Sequence, residues 1–239
     1  MAFPFKTREE DALETENTRL RRLLAQAGLD AIEHEVAEKL QRLLLEELHH
    51  RVKNTLASVM AITTQTLRNA ETLDQGRQAI ESRLMALGRA HDLLLQANWA
   101  SASLGEVIGS AIKPFDTEGA GRFVVRGAPI EVGSGAVLPL SMVLNELCTN
   151  AAKYGALSDA KGHVEITSAI DETGQRFKVT WAETNGPVVR APTRRSFGTR
   201  LIESIAGQLQ GKVAMQFRPG GVVCELDIPL ASLRVMDSH

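Results

Sequence analysis

The strongest constraint on the fold of this chain is a stripe of apolar residues spaced three and four apart near residue 50. Its members are Leu45, Leu48, Val52, Leu56, Val59 and Ile62. Because an α-helix has about 3.6 residues per turn, residues at these spacings lie on one face. The spacing therefore predicts a long helix with one apolar side, and apolar residues before it extend the pattern toward the N-terminus.

The face opposite that stripe carries His50. This histidine is two residues from both Leu48 and Val52, and about 100° of rotation per residue places it roughly opposite them, in water. Its neighbours about one turn away are Glu46, Glu47, Lys53 and Asn54. An exposed imidazole between carboxylates and cations is a candidate nucleophile. A solvated helix face that happens to include a histidine is the alternative.

A second segment, from Met142 to Gly155, is also predicted to be helical. Glu146, Asn150 and Lys153 fall within about 60° of one another around this helix. The other side is formed by the apolar residues Leu140, Val143, Leu144, Leu147 and Ala151. The segment therefore presents a carboxylate, an amide and a cation together on one polar face.

Both segments resemble known motifs. The order Glu-x-x-x-Asn-Ala-x-Lys-Tyr, from Glu146 to Tyr154, resembles the N box of the GHKL-type ATP-binding domain that histidine kinases share with gyrases and MutL. Residues Glu47 to Leu56 read Glu-Leu-His-His-Arg-Val-Lys-Asn-Thr-Leu. This order resembles the acceptor motif of the HWE and closely related HisKA_2 sensor histidine kinases, and the overall resemblance covers about residues 43–229.

Two further segments resemble the same family and follow in the same order. Residues 181–187 resemble the Trp-x-Glu segment, in which Glu183 takes the place of the acidic residue that accepts a hydrogen bond from the adenine amino group. Residues 196–202 resemble the second glycine box. There the backbone amides after Gly198 would approach the phosphates at a helix N-terminus, where the helix dipole favours an anion.

The resemblance implies a role for each matching residue. His50 would accept a phosphoryl group, and Glu146 would act as a base or orient the attacking group. Asn150 would supply one oxygen ligand to a Mg²⁺ ion that bridges the phosphates of ATP. The other implied nucleotide-binding residues are Lys153, Tyr154, Glu183, Gly186, Gly198, Thr199 and Leu201. The other residues of the acceptor motif are Glu47, Arg51, Lys53 and Asn54. Helix geometry makes Glu47 and Glu46 equal candidates for orienting the ring of His50.

Three positions depart from the family pattern. Asn145 replaces a histidine of the N box, Asn185 replaces a glycine after Glu-x, and Ser196 replaces the first glycine of Gly-Phe-Gly. Asparagine tolerates a positive φ better than most residues, so the turn at Asn185 is expected to survive. We expect ATP to bind, with an affinity that these changes could lower, because Asn150 and Glu183 are retained.

The order of elements predicts an α+β protein in which an N-terminal helical hairpin precedes an α/β sandwich that binds ATP. Gly28 is expected to interrupt the first helix, and Asp74 to begin the second. Four regions are predicted: an N-terminal coiled-coil segment (1–42), a dimerisation and phosphoacceptor hairpin (43–101), a GHKL-type catalytic domain (102–232) and a C-terminal tail (233–239).

Composition and charge narrow the class of protein and its location. The net charge of -2 gives no indication of nucleic-acid binding. No apolar run reaches the ~18 residues that a membrane span needs. Cys148 and Cys224 are the two cysteines of the chain, and both are expected to be reduced core residues of a cytoplasmic protein.

The helical segments also suggest how the chain assembles. A hairpin cannot bury the apolar sides of both arms, so we expect a homodimer, closed as a four-helix bundle or in another arrangement. Roughly 40 residues precede the acceptor helix, whereas a sensor domain needs about 100. A signal would therefore enter through this coil, through a separate sensor protein, or not at all.

Taken together, these features favour a sensor histidine kinase of a two-component system. It would autophosphorylate His50 with Mg-ATP and transfer the group to an aspartate of a response regulator receiver domain. The alternative is a non-enzymatic phosphotransfer or scaffold dimer whose degenerate ATP domain binds no nucleotide. An ATPase of the gyrase and MutL type is a third class, and it would need no exposed acceptor motif like that of His50.

Overall fold

The computed structural model describes residues 8–70, 72–97, 101–116, 121–189 and 197–234. The chain divides into two compact units, the first ending at Ala61 and the second beginning at Ile62. Helices precede a sheet domain, which confirms the α+β class. In the described residues, no helix is both long enough and apolar enough to cross a membrane. The four predicted domain ranges stay a prediction.

The first helix, α1 (Arg8–Asn69), is continuous over 62 residues. The predicted break at Gly28 is wrong, because a single glycine costs a helix only about 0.5–1 kcal/mol relative to alanine and its neighbours favour helix. In the first unit the apolar stripe lies at the surface, where Leu48 is 54% and Leu56 is 59% exposed. The spacing thus predicted the helix correctly, but no described residue of this unit covers the stripe.

The second helix, α2 (Leu73–Gln96), begins one residue before the predicted Asp74. Thr72 is its N-cap, and the Thr72 hydroxyl accepts a hydrogen bond from the backbone N–H of Gln75 at 3.2 Å. The buried side of α2 packs on α3 (Leu104–Ile112) and on α4 (Ser134–Tyr154). The second helix of the predicted hairpin therefore belongs to the same compact unit as the N-box helix.

The second unit is built on β-strands, which are β1 (Ser101–Ser103), β2 (Phe123–Gly127), β3 (Glu131–Gly133), β4 (His163–Ile170), β5 (Arg176–Thr184), β6 (Lys212–Arg218) and β7 (Gly221–Pro229). Five of them form one sheet with the strand order β2-β4-β5-β7-β6. In this sheet β2 and β4 are parallel, and the other neighbours are antiparallel. A separate antiparallel pair joins β1 to β3.

The main core lies between the helices α3 and α4 and the strands β5 and β7. Phe177 and Trp181 are its largest side chains, with 0% and 1% exposure. The helix α4 begins at Ser134, earlier than the predicted Met142, because burial of its first turns outweighs the hydrogen bond lost at Pro139. Two further helices, α5 (Phe197–Gln208) and α6 (Leu230–Arg234), complete the unit.

Candidate functional site

A cleft of about 500 Å³ opens in the second unit between α2 and α4. This volume falls in the range of small-molecule sites. Five of the predicted site residues line it: Glu146, Asn150, Lys153 and Tyr154 from α4, and Gly198 from the start of α5. The side that α2 contributes carries Gln75, Gln78, Ala79, Ser82 and Arg83. The polar face predicted for the N-box helix therefore opens onto a cavity.

The carboxylate of Glu146 is held by Arg83 of α2. Arg83 Nε donates to Glu146 Oε1 at 2.7 Å, and Arg83 Nη2 donates to Glu146 Oε2 at 3.0 Å. Arg83 Nη1 also donates to Thr66 Oγ1 at 2.6 Å. The two charged side chains are only 4% and 7% exposed. A planar guanidinium matched to a carboxylate in this way fixes the orientation of both groups.

Arg83 is not among the residues predicted for the site, although its position in the sequence indicates a buried charge. Arg83 falls at helical spacing from Ala79, Leu87 and Ala90, so it belongs to the buried stripe of α2. A charged residue in an apolar stripe requires a buried partner, because an unpaired buried charge is strongly unfavourable. What the spacing could not indicate is that the partner is Glu146, 63 positions along the chain.

Asn145, which replaces the family histidine, makes the neighbouring contacts between α4 and α2. Its Oδ1 accepts a hydrogen bond from Arg89 Nη2 at 3.1 Å, and its Nδ2 donates to Ser82 Oγ at 3.3 Å. Burial lowers the pKa of Arg89, and the nearby Cys148 raises that pKa by a smaller amount. The departure at Asn145 therefore lies at the packed interface of the two helices, and Asn145 is 1% exposed.

Glu183 ends the buried part of β5 and is 5% exposed. Its Oε2 accepts a hydrogen bond from the backbone N–H of Ala156 at 2.8 Å, and its Oε1 accepts one from Trp181 Nε1 at 3.1 Å. Residues two apart on a strand share a face, so Trp-x-Glu spacing brings the indole to the carboxylate. Burial raises the pKa of Glu183, and these two hydrogen bonds oppose that rise.

Three glycines lie where the backbone passes close to Glu183, Ala156 or Glu146. A Cβ at Gly155 would overlap Glu183 Oε2, and one at Gly186 would lie 2.5 Å from Ala156 Cα. A Cβ at Gly198 would lie 2.9 Å from Glu146 Oε2. Asn185 adopts a φ of 57°, as its place in the turn predicted. Thr199 and Leu201 are buried in α5, and Ser196 lies outside the described residues.

The acceptor motif lies in the first unit. His50 is exposed, as predicted, and so are Glu47, Lys53 and Asn54. Asn54 Nδ2 lies 3.2 Å from His50 Nδ1. The side chain of Arg51 lies outside the described residues. The role predicted for Glu47 or Glu46, that of orienting the ring of His50, stays a prediction. The structure adds Asn54 as a partner of Nδ1.

The donor set of the cleft fits a magnesium ion that is shared with phosphates. Asn150 offers a hard amide oxygen, and Lys153 adds a positive charge to the same cleft. Within the described ranges, no three His, Cys, Asp or Glu side chains cluster closely enough to hold a metal ion on their own.

Comparison with known proteins gives matches to histidine kinases. The model of the HWE histidine kinase family matches residues 47–129. Blue-light-activated histidine kinases of Brucella ovis and Brucella anthropi are 39% identical over 204 residues and 37% identical over 207 residues. These matches cover 84% and 85% of this chain and 42% of each relative. The chain therefore spans about two fifths of the length of these relatives.

Solved structures match in fold. The blue-light activated histidine kinase EL346 of Erythrobacter litoralis has a TM-score of 0.58 and 21% identity, over 78% of this chain and 59% of that chain. Its histidine kinase domain has a TM-score of 0.54 and 17% identity, over 74% of this chain and 98% of that chain. The family model and the Brucella relatives, apart from these likenesses in fold, lead to one conclusion: residues 47–129 of the chain belong to the HWE histidine kinase family.

Proposed function

We propose that this chain is a histidine kinase that binds Mg-ATP in the cleft on α4 and transfers the γ-phosphoryl group to His50. One observation carries this proposal. The same chain combines an exposed histidine in an acceptor motif with a cleft lined by Glu146, Asn150 and Lys153. Phosphoryl transfer needs mainly positioning and charge neutralisation, and Asn150 offers a hard oxygen for a metal ion while Lys153 offers a positive charge.

Each part of the site has a defined task in this mechanism. Asn150 would hold Mg²⁺, which neutralises phosphate charge when bound, and Lys153 would contact the phosphates. The buried carboxylate of Glu183 would accept a hydrogen bond from the adenine amino group. Its position is fixed in advance by Ala156 and Trp181, so binding would cost little side-chain entropy.

The chemical step uses a ring nitrogen of His50 that carries a lone pair. That nitrogen forms a bond to the γ-phosphorus while the bond from phosphorus to the β,γ-bridging oxygen breaks, and ADP leaves. Asn54 would determine which ring nitrogen of His50 carries the lone pair. An amide N–H at Nδ1 stabilises a lone pair on Nδ1, whereas an amide oxygen at Nδ1 would stabilise a proton there.

The phosphoryl group would then pass to an aspartate of a response regulator receiver domain. A second copy of this chain would cover the exposed apolar stripe of α1, on which Leu45, Leu48 and Val52 are about half exposed, at 48%, 54% and 49%. Replacing Leu48 with glutamate should convert a dimer into a monomer in light-scattering measurements. An unchanged mass would remove α1 from the dimer interface.

The defining experiment measures incorporation of label from γ-labelled ATP with magnesium. We expect an acid-labile, base-stable label that is lost in His50→Ala and in Asn150→Ala. His49→Ala is the matched control, because His49 is an exposed neighbour on the same helix, and it should keep the label. Label that survives in His50→Ala would contradict the assignment. Folded protein that binds no ATP would favour the phosphotransfer or scaffold alternative.

A further inference from the structure

The cleft contains a carboxylate that could promote transfer of the γ-phosphoryl group to water in place of His50. Glu146 lines it together with Asn150 and Lys153. A carboxylate beside a phosphate site can take a proton from water, and general-base assistance of this kind typically contributes 10²–10⁴-fold to a rate. A kinase that is to phosphorylate a histidine gains nothing from this reaction, because hydrolysis consumes ATP without labelling the protein.

Arg83 binds both carboxylate oxygens of Glu146, which are the atoms that would accept a proton from water. Both carboxylate oxygens already accept hydrogen bonds from the guanidinium, at 2.7 and 3.0 Å, and Thr66 fixes a third nitrogen of Arg83. The contacts of Asn145 with Ser82 and Arg89 hold the same two helices together beside this pair. Glu146 therefore cannot turn toward a water molecule without giving up a buried, bidentate ion pair.

We propose that Arg83 is a specificity-determining residue that keeps Glu146 from activating water, so that the γ-phosphoryl group is reserved for histidine. This inference rests on the proposed kinase function. The imidazole has a lone pair ready for attack, so its bond to phosphorus forms without a base, and the engagement of Glu146 does not slow that step. Arg83 lines the cleft as well, and the role proposed for it is exerted through Glu146.

The suppressed reaction is ordinary ATP hydrolysis. A water oxygen would form a bond to the γ-phosphorus while one of its protons moves to Glu146. The bond from phosphorus to the β,γ-bridging oxygen would break and release ADP and inorganic phosphate, and Glu146 would return the proton to solvent. Weakening Arg83 would free an oxygen of Glu146 to accept this proton.

The test is phosphate release from Mg-ATP in a His50→Ala background, where no phosphohistidine forms. Arg83→Lys keeps the charge but replaces the planar fork by a point charge that cannot form the same two parallel hydrogen bonds. We expect hydrolysis to rise about tenfold or more, and the rise to vanish when Glu146→Gln is added. Arg77→Lys is the matched control, because Arg77 on the same helix pairs with Glu81 at the surface at 2.8 Å, and it should leave hydrolysis unchanged.

A second variant covers the case in which Arg83→Lys fails to fold. Thr66→Val keeps Arg83 but removes the hydroxyl that fixes Nη1, and it should give a smaller rise that also depends on Glu146. A folded, nucleotide-binding variant without any rise would overturn the role of Arg83, and so would a rise that persists with Glu146→Gln. Absence of nucleotide binding in the unchanged chain would instead overturn the proposed function itself.

Discussion

Replacing Gly155 with alanine tests whether the buried carboxylate of Glu183 belongs to the nucleotide site. Gly155 has a φ of -113°, so alanine meets no backbone strain there. The obstacle is steric, because the new Cβ would overlap Glu183 Oε2 and would lie 3.0 Å from Ala151 Cα. The backbone of α4 cannot yield easily, so the carboxylate must move away.

The cost can be worked from the contacts that the carboxylate would lose. Moving Glu183 breaks the hydrogen bond from the Ala156 N–H, which is 2.8 Å long. A hydrogen bond to a charged group contributes about 1.5–3 kcal/mol to stability. If Glu183 holds the adenine, its displacement should weaken ATP binding by a similar amount, or about 10- to 150-fold. The unfolding free energy should fall by about the same 1.5–3 kcal/mol.

The assays are nucleotide titration by calorimetry and denaturant unfolding. Gly109→Ala is the matched control, because Gly109 lies inside the helix α3 and its Cβ would meet no atom within 4 Å. That change should raise stability by about 0.5–1 kcal/mol and leave ATP binding unchanged. If Gly155→Ala loses stability but binds ATP like the unchanged chain, Glu183 is not part of the nucleotide site.

Three further predictions follow from contacts of single side chains. Trp181→Phe keeps an aromatic ring in the core but removes the indole donor to Glu183, so ATP affinity should fall about tenfold in calorimetry. Asn54→Ala removes the partner of His50 Nδ1 and should slow single-turnover phosphorylation about 2- to 10-fold. Burial lowers the pKa of His91 below its ordinary 6.5 against the opposing charge of Asp92. The folded state therefore favours neutral His91, so its contribution to stability is present above pH 6.5 and is lost as the pH falls through the lowered pKa.

Each of these has a clear contrary result. Unchanged ATP affinity in Trp181→Phe would mean that the hydrogen bond from the indole to Glu183 does not contribute to ATP binding. Unchanged phosphorylation in Asn54→Ala would leave the ring orientation of His50 to its acidic neighbours. The acid side of the stability profile, measured by denaturant unfolding at several pH values, should flatten in His91→Gln. A profile that keeps its slope would assign the acid sensitivity to other groups.

Local signals predicted much of the second unit. The helix α3 has one apolar side, formed at helical spacing by Leu104, Val107, Ile108 and Ala111. The strand β5 buries every second residue from Phe177 to Glu183, and Gly174 in the turn before it has a positive φ of 68°. Both cysteines are buried and unpaired, as expected, and burial raises the pKa of Cys224 to about 12. These features depend on neighbours within a few residues, which a sequence displays directly.

The sequence by itself determined the acceptor motif, the polar face of the N-box helix and the Trp-x-Glu pair, because each is a fixed spacing on one element. Only the tertiary structure decided what these elements meet. It paired Glu146 with Arg83, joined Glu183 to the N–H of Ala156, and packed α2 on α4. Contacts between segments far apart in the sequence depend on how the faces of helices and sheets pack together. The spacing of residues along one element does not indicate which residue of another element will pack against it.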